Sequence, residues 1–346
     1  MDPAPLRLGF IGGHGHHYLQ NLLEDDSVAL EAIAFAGDGH DNQRARARAD
    51  RLPGASWFDD PIEMLEAFRP HVVSVGAVYG HNGTWIAHAL RHNAGVVSDK
   101  PIAATWEQLE KIQQLARETH QHVITEFPFR ARPEYVAARD AVAAGRIGQV
   151  VLATAQKSYR FGTRPPWYAN REDYGGTILW VASHGIDAIR FTTGQRFVRV
   201  SGRQGNVCQP DHGSMEDHAV CVFELGGGGT AMVHADYLRP AKADTHGDDR
   251  VRLAGSLGVL EVRGGRCGLV TNDQAETDIT DEATPPPVHR QLLAAVRGQS
   301  QGRYSTAASL EMAAVLLCAR DAADAQTVVQ IPEFELCETR PETSRE

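Results

Sequence analysis

The chain has 346 residues, 42% of them hydrophobic and 23% charged, and carries a formal net charge of −10. That is enough apolar material for a large core and enough length for two domains. Its basic residues are scattered apart from a short Arg44, Arg46, Arg48 run, and no apolar run approaches the roughly 18 to 20 residues that span a bilayer, so nucleic-acid and membrane partners are not expected.

The opening Met1-Asp2-Pro3-Ala4-Pro5 has no basic region followed by an apolar stretch, which predicts a cytoplasmic protein. Cys208, Cys221, Cys267, Cys318 and Cys337 are widely spaced and form no CxxC pair; they read as reduced thiols, mostly small buried hydrophobes. From residue 7 to residue 125 short apolar runs alternate with amphipathic stretches of helix length. Strands are predicted over 7–11, 30–35, 72–75, 95–98 and 122–125, with a helix over 106–119. This is the rhythm of an α/β domain, a doubly wound parallel sheet whose ligands bind at the carboxyl ends of the strands.

The first strand runs into Gly12-Gly13-His14-Gly15-His16-His17-Tyr18. Glycines in such a turn let the backbone pass close to a pyrophosphate at the following helix N-terminus, so Gly12, Gly13, His14, Gly15 and His16 are candidate cofactor contacts. Gly13 and Gly15 match the first two glycines of GxGxxG, while Tyr18 stands where the third belongs, and a plain tight turn explains the stretch about as well. Asp38 closes the second strand, where an acidic side chain accepts hydrogen bonds from ribose hydroxyls, which favours NAD over NADP. The Arg44, Arg46, Arg48 run reads either as a solvated face or as a reach towards a 2′-phosphate. No carboxylate or cysteine completes a ligand set with His14, His16 and His17, and no metal is expected there.

Strand 95–98 is followed by Asp99-Lys100-Pro101, which places the Lys100 ammonium at the carboxyl edge of the sheet. Partial burial there would lower its pKa into the range for proton transfer, although a surface lysine before a turn fits equally. After residue 126 the rhythm changes to a helix and then longer alternating strands near 150–157, 197–203, 219–225 and 230–237, an open and largely antiparallel sheet in an α+β domain. The stretch 156–168 leaves a strand into a loop dense in cations and aromatics, where Lys157, Tyr159 and Arg164 are candidate contacts for hydroxyls or an acidic group. On a helix Trp180, His184 and Asp187 share a face, and Trp180 there reads as a stacking platform for a sugar ring or as core. Asp248, Asp249 and Arg250 read as a solvated turn or an intersubunit ion pair. Residues 306–323 form a late apolar helix that suits either domain, and 338–346 a polar tail.

Asp99-Lys100-Pro101 resembles the Glu-Lys-Pro motif of the glucose-fructose oxidoreductase and inositol dehydrogenase family, often written Gfo/Idh/MocA. Tyr174-Gly175-Gly176 leading to His184-Gly185-Ile186-Asp187 resembles that family's helix ending in His-x-x-Asp, and Met215-Glu216-Asp217-His218 its entry into a strand. The resemblance runs from about residue 6 to about residue 330 and implies an N-terminal Rossmann domain over 1–125, followed by a substrate and oligomerisation domain over 126–337. It further implies NAD(P)-dependent redox chemistry on sugars, inositols or related polyols, with a homodimer or homotetramer built through the C-terminal sheet. Lys100 takes the place of the family's catalytic lysine, His184 of its helix histidine, and Asp187 and Tyr237 of substrate contacts. Trp180 departs from the pattern, standing where the family often has an aspartate that supports the proton relay. The expected reaction is hydride transfer with Lys100 as general acid/base and His184 assisting. Loss of the relay leaves open a dinucleotide-binding sensor without turnover. A metal-dependent lyase using His184, His218, His234 and His246 has no support in ligand spacing.

Overall fold

The structure is a computed structural model that describes residues 5–40, 42–299 and 303–333. Cys337 and the expected polar tail lie outside the described residues. Runs rich in Val, Ile, Ala and Phe form β1 (Leu6–Ile11), β2 (Leu30–Ala36), β3 (Ser56–Phe58), β4 (Val72–Val75), β5 (Gly95–Ser98) and β6 (Val123–Thr125), a parallel sheet in the order β3-β2-β1-β4-β5-β6. The order reverses beside β1, which opens a crevice at the carboxyl ends of β1 and β4.

The α-helices of seven residues or more are α1 (Gln43–Ala49), α2 (Asn82–Arg91), α3 (Trp106–Thr119), α4 (Pro133–Ala143), α5 (Ser183–Thr193), α6 (Val288–Val296) and α7 (Thr306–Ala325). Alternation along the strands gives the parallel sheet two apolar faces. Val73, Val96 and Val123 pack with Ile86, Leu90 and Ile112 of α2 and α3. Leu8, Phe10, Val97 and Ile124 pack on the opposite face with Leu292, Leu293 and Val296 of α6.

The second sheet comprises β7 (Val150–Tyr159), β8 (Phe197–Gly205), β9 (His218–Leu225), β10 (Thr230–Asp236), β11 (Gly247–Gly255), β12 (Gly258–Arg263), β13 (Arg266–Thr271), β14 (Thr277–Asp278) and β15 (Val329–Gln330). Its order is β14-β13-β12-β11-β7-β10-β9-β8-β15, antiparallel except where β10 runs alongside β7. One face buries Ala153, Cys221, Phe223 and Val233 under helices; the other exposes Leu152, Val220, Val222 and Met232, with Met232 opposite Val222. The Asp248 to Arg250 stretch, expected as a turn, lies within β11. Its three consecutive polar side chains open a strand paired with β7 on one side and β12 on the other.

The late helix α7 touches both halves. Its Thr306 and Ser309 hydroxyls accept from the amides of Val123 and Thr125 at 3.1 and 2.9 Å, closing the edge of β6, and Ala323 packs against Gly202 of β8.

Candidate active site

The carboxyl ends of β1, β4, β5 and β6 converge on the glycine turn. Gly12 has φ +81°, and a Cβ there would lie 2.6 Å from Ala77 Cα. The amides of His14 and Gly15 both donate to the Gly76 carbonyl at 2.9 Å. The amide of His16 donates to Asp99 Oδ2 at 2.7 Å and that of Tyr18 to Glu126 Oε1 at 3.0 Å. Beyond the turn the chain enters a short 3-10 segment, Tyr18–Glu24. His17 is buried between Ser74 Oγ and the Gly12 carbonyl, at 2.7 and 3.1 Å, and burial lowers its pKa to about 3, which keeps the ring neutral.

Asp38 accepts from the amides of Val78 and His40 at 2.8 and 3.1 Å, one on each oxygen. Arg48, on α1, reaches to 3.5 Å from the Gly15 carbonyl with Nη2 and leaves Nη1 buried without a partner.

Lys100 is buried, with Nζ 3.1 Å from Asp99 Oδ1 and 3.3 Å from the centre of the Trp180 ring. Burial lowers the lysine pKa and Asp99 opposes the shift; Asp99 itself is held well below the usual carboxylate range by Lys100 and His16, which outweigh its own burial. Trp180 stacks on Tyr79 at 3.5 Å. His16 bonds the other Asp99 oxygen through Nδ1 at 3.1 Å, and half of its side chain is exposed. Glu126 is buried close by with Oε2 unpartnered, and burial together with the Asp99 charge pushes its pKa well up.

A cleft of about 410 Å³ opens in front of this cluster, lined by His16, Tyr18, Arg132, Lys157, Tyr159, His184 and Asp249 among others. Lys157 lies 2.7 Å from Asp249, and burial lowers its pKa to about 8. His184 is buried with Nδ1 unpartnered, and burial followed by the charges of Lys100 and Lys157 keeps the imidazole neutral.

His16, Lys157, Tyr159 and His184 therefore meet in one cleft, and Lys100 stands one carboxylate behind it. Three other candidates lie elsewhere. Asp187 is buried against Arg130, which donates through Nε at 3.1 and 3.2 Å and through Nη2. Tyr237 is buried with its hydroxyl 2.9 Å from that of Tyr174. Arg164 lies over the Tyr237 ring at 4.8 Å. A π-helical turn, Ile178–Ala182, leads into α5; Trp180 lies against Lys100 and His16, whose charges also act on His184, while Asp187 pairs with Arg130. Glu126 and Arg132 join the site without having stood out in the sequence, while Asp99 was noted only as part of the Asp99-Lys100-Pro101 motif, Arg48 as a solvated face or a reach towards a 2′-phosphate, and Asp249 as part of a turn or ion pair. Position at a strand's carboxyl end was the available signal for Asp99 and Glu126.

Residues 6–127 match the family model described as an oxidoreductase family with an NAD-binding Rossmann fold, and residues 135–261 match the GFO/IDH/MocA C-terminal domain. A solved structure of a Thermotoga maritima protein assigned as an oxidoreductase is 31% identical, with TM-score 0.87 over 94% of this chain and 100% of that one. D-glucoside 3-dehydrogenase of Escherichia coli K12 is 29% identical over 205 residues, 56% of each chain. scyllo-Inositol 2-dehydrogenase (NAD(+)) of Bacillus subtilis 168 is 24% identical over 233 residues, 66% of each. The chain thus spans between half and two thirds of the length of these two curated relatives.

Proposed function

Because the chain belongs to the GFO/IDH/MocA oxidoreductase family, we propose that it moves a hydride between nicotinamide C4 and a secondary alcohol or ketone carbon of a sugar, inositol or related polyol. The observation that carries this reading is the Lys100, Asp99, His16 cluster set directly behind a cleft that also holds His184.

The residues present suit a dinucleotide. Asp38 stands two residues past the end of β2 with one acceptor site in use on each oxygen, leaving lone pairs for ribose hydroxyls, which favours NAD over NADP. A bound nicotinamide supplies the hydride acceptor or donor. Lys100, its ammonium disfavoured by burial, takes the hydroxyl proton as the alcohol is oxidised and returns it in reduction. Asp99 holds that lysine in place and balances its charge when protonated. His184 stays neutral and offers Nδ1 to orient the hydroxyl, while Lys157 and Tyr159 bind neighbouring hydroxyls on the opposite wall. His16 lines the cleft and bonds the Asp99 carboxylate that holds Lys100. The apolar stripe of Val220, Val222 and Met232 supports pairing of two copies through the second sheet.

One observation favours a second reading, a dinucleotide-binding protein without turnover: Trp180, at the position where the family resemblance implies an aspartate, presses its ring on the Lys100 ammonium. The test is protein-bound NADH fluorescence, followed by reduced-nicotinamide absorbance against a panel of sugars, inositols and keto-sugars, for wild type and Lys100→Met. Turnover lost in the variant with binding retained supports the dehydrogenase. Binding without turnover on the whole panel supports the second reading, and no binding removes both.

A further inference from the structure

A helix N-terminus after the first strand of such a sheet ordinarily offers free amides to the diphosphate of a dinucleotide. Here those amides are engaged internally. His14 and Gly15 donate to Gly76, His16 to Asp99 and Tyr18 to Glu126. Two carboxyl groups thus occupy donors that phosphate oxygens would use, and Asp99, at least, is firmly ionised. A diphosphate brought to this turn needs positive charge from another element.

Helix α1 provides it. The helix lies directly on the turn: a Cβ on Gly13 would come within 2.5 Å of the Ala45 nitrogen and 2.9 Å of Arg44 Cβ. Of the three arginines on α1, Arg46 turns away, pairing with Asp50 at 3.3 Å and lying over Trp57 at 4.9 Å. Arg48 turns inward. Its contact with the Gly15 carbonyl, at 3.5 Å, is at the limit of a hydrogen bond, and its Nη1 is buried with no acceptor among the described residues. Burial and the neighbouring Arg44 both disfavour its charged form, an electrostatic deficit that an anion would relieve. A guanidinium with spare donors in a fixed fork matches a phosphate bidentately.

We propose that Arg48 holds the diphosphate of the dinucleotide, with Arg44 at the rim, in place of the turn's backbone amides. The assignment rests on the proposed binding of a nicotinamide dinucleotide and adds to it the residue that carries the anion. Placement on Gly15 identifies the bridging diphosphate as its target, and not a 2′-phosphate beside Asp38.

The experiment titrates NADH by fluorescence, with displacement by ADP-ribose, into wild type, Arg48→Met, Arg48→Lys and Arg46→Met, and repeats the titration with NADPH. The expected result is a rise in Kd of roughly ten- to a hundredfold for NADH and ADP-ribose in Arg48→Met, the same factor for NADPH, and partial recovery in Arg48→Lys, as for loss of a charge-assisted hydrogen bond. Arg46→Met, which removes an outward cation, leaves the affinity unchanged. Unaltered NADH affinity in a folded Arg48→Met, or in Arg48→Lys and Arg48→Met alike, overturns the assignment, as does a loss confined to NADPH. Absence of NADH binding by wild type overturns the cofactor reading and this assignment together, whereas wild-type binding untouched by the Arg48 variants overturns the assignment alone.

Discussion

Replacing Asp187 with Ala should unfold the protein at a markedly lower temperature while leaving the cleft chemistry formally intact. Arg130 is buried, and Asp187 receives both its Nε and Nη2; without it the guanidinium keeps, among the described residues, the Arg303 carbonyl 2.7 Å from Nη1, the rings of Phe127 and Tyr304 at 5.5 and 5.8 Å and the more distant charge of Glu311. Removing one member of a buried pair strands the other charge and costs about 3–5 kcal/mol. At roughly 2 °C per kcal/mol for a chain of this size, the midpoint should fall by roughly 6–10 °C. Calorimetry and urea unfolding of Asp187→Ala, Arg130→Met and the Asp187→Leu/Arg130→Met double variant measure this. The double variant should recover most of the loss, since it strands no charge. A single variant that loses under about 1 kcal/mol, or one that keeps its melting temperature and loses only substrate affinity, would refute the structural role and return Asp187 to the substrate.

Lys157 titrates at about 8 instead of 10.5 because it is buried, so the unfolded chain holds more protons between those values. Its contribution to stability is present above pH 10.5 and lost as pH falls through about 8; wild type should gain up to about 3 kcal/mol over Lys157→Met across that window, and parallel urea-stability curves would contradict the assignment. His17, lowered from 6.5 to about 3, contributes stability that is present above pH 6.5 and is lost as pH falls towards 3. His17→Gln should flatten that acid limb, read by thermal melts from pH 7 to 4. Asp99→Asn removes the charge that raises the Lys100 pKa. If turnover is found, the rise of kcat/KM with pH in alcohol oxidation should move to lower pH, and an unmoved limb would free Lys100 of the proton transfer.

Where apolar runs are short and bounded by turn residues, the sequence and structure agree closely: β4, β5 and α3 have the expected ends, since Val72–Val75 and Gly95–Ser98 are buried on both faces and Thr105 caps α3 by accepting from Gln108 at 3.1 Å. The strands β11 to β13 were not legible. β11 opens on the consecutive polar residues Asp248, Asp249 and Arg250, and Arg252, Glu261 and Arg263 then alternate with apolar residues on strands with one face towards solvent, so the stretch resembles a loop. The motif Asp99-Lys100 was visible as adjacent residues, but not that its carboxylate would reach His16, 83 positions away, a contact that depends on where strands end. The spacing of Trp180 and His184 pointed to one neighbourhood, and both lie close to Lys100 and His16, but the π-helical turn at Ile178–Ala182 left no mark in the periodicity. The pairing of Asp187 with Arg130 is equally invisible to periodicity, since the two residues lie 57 apart in the chain.

The helix α6 comes late in the chain yet seals one face of the first sheet, with Leu292, Leu293 and Val296 over Leu8, Phe10, Val97 and Ile124. During synthesis the nascent first domain therefore waits, that side covered only in part by Leu19 and Leu22, until more than half of the remaining polypeptide has emerged from the ribosome. That interval is a window for chaperones and for aggregation. It also means that a gene split after residue 127 would yield an N-terminal fragment with an adhesive face, and that supplying α6 in trans, or fusing it through a linker, is what would make the fragment soluble.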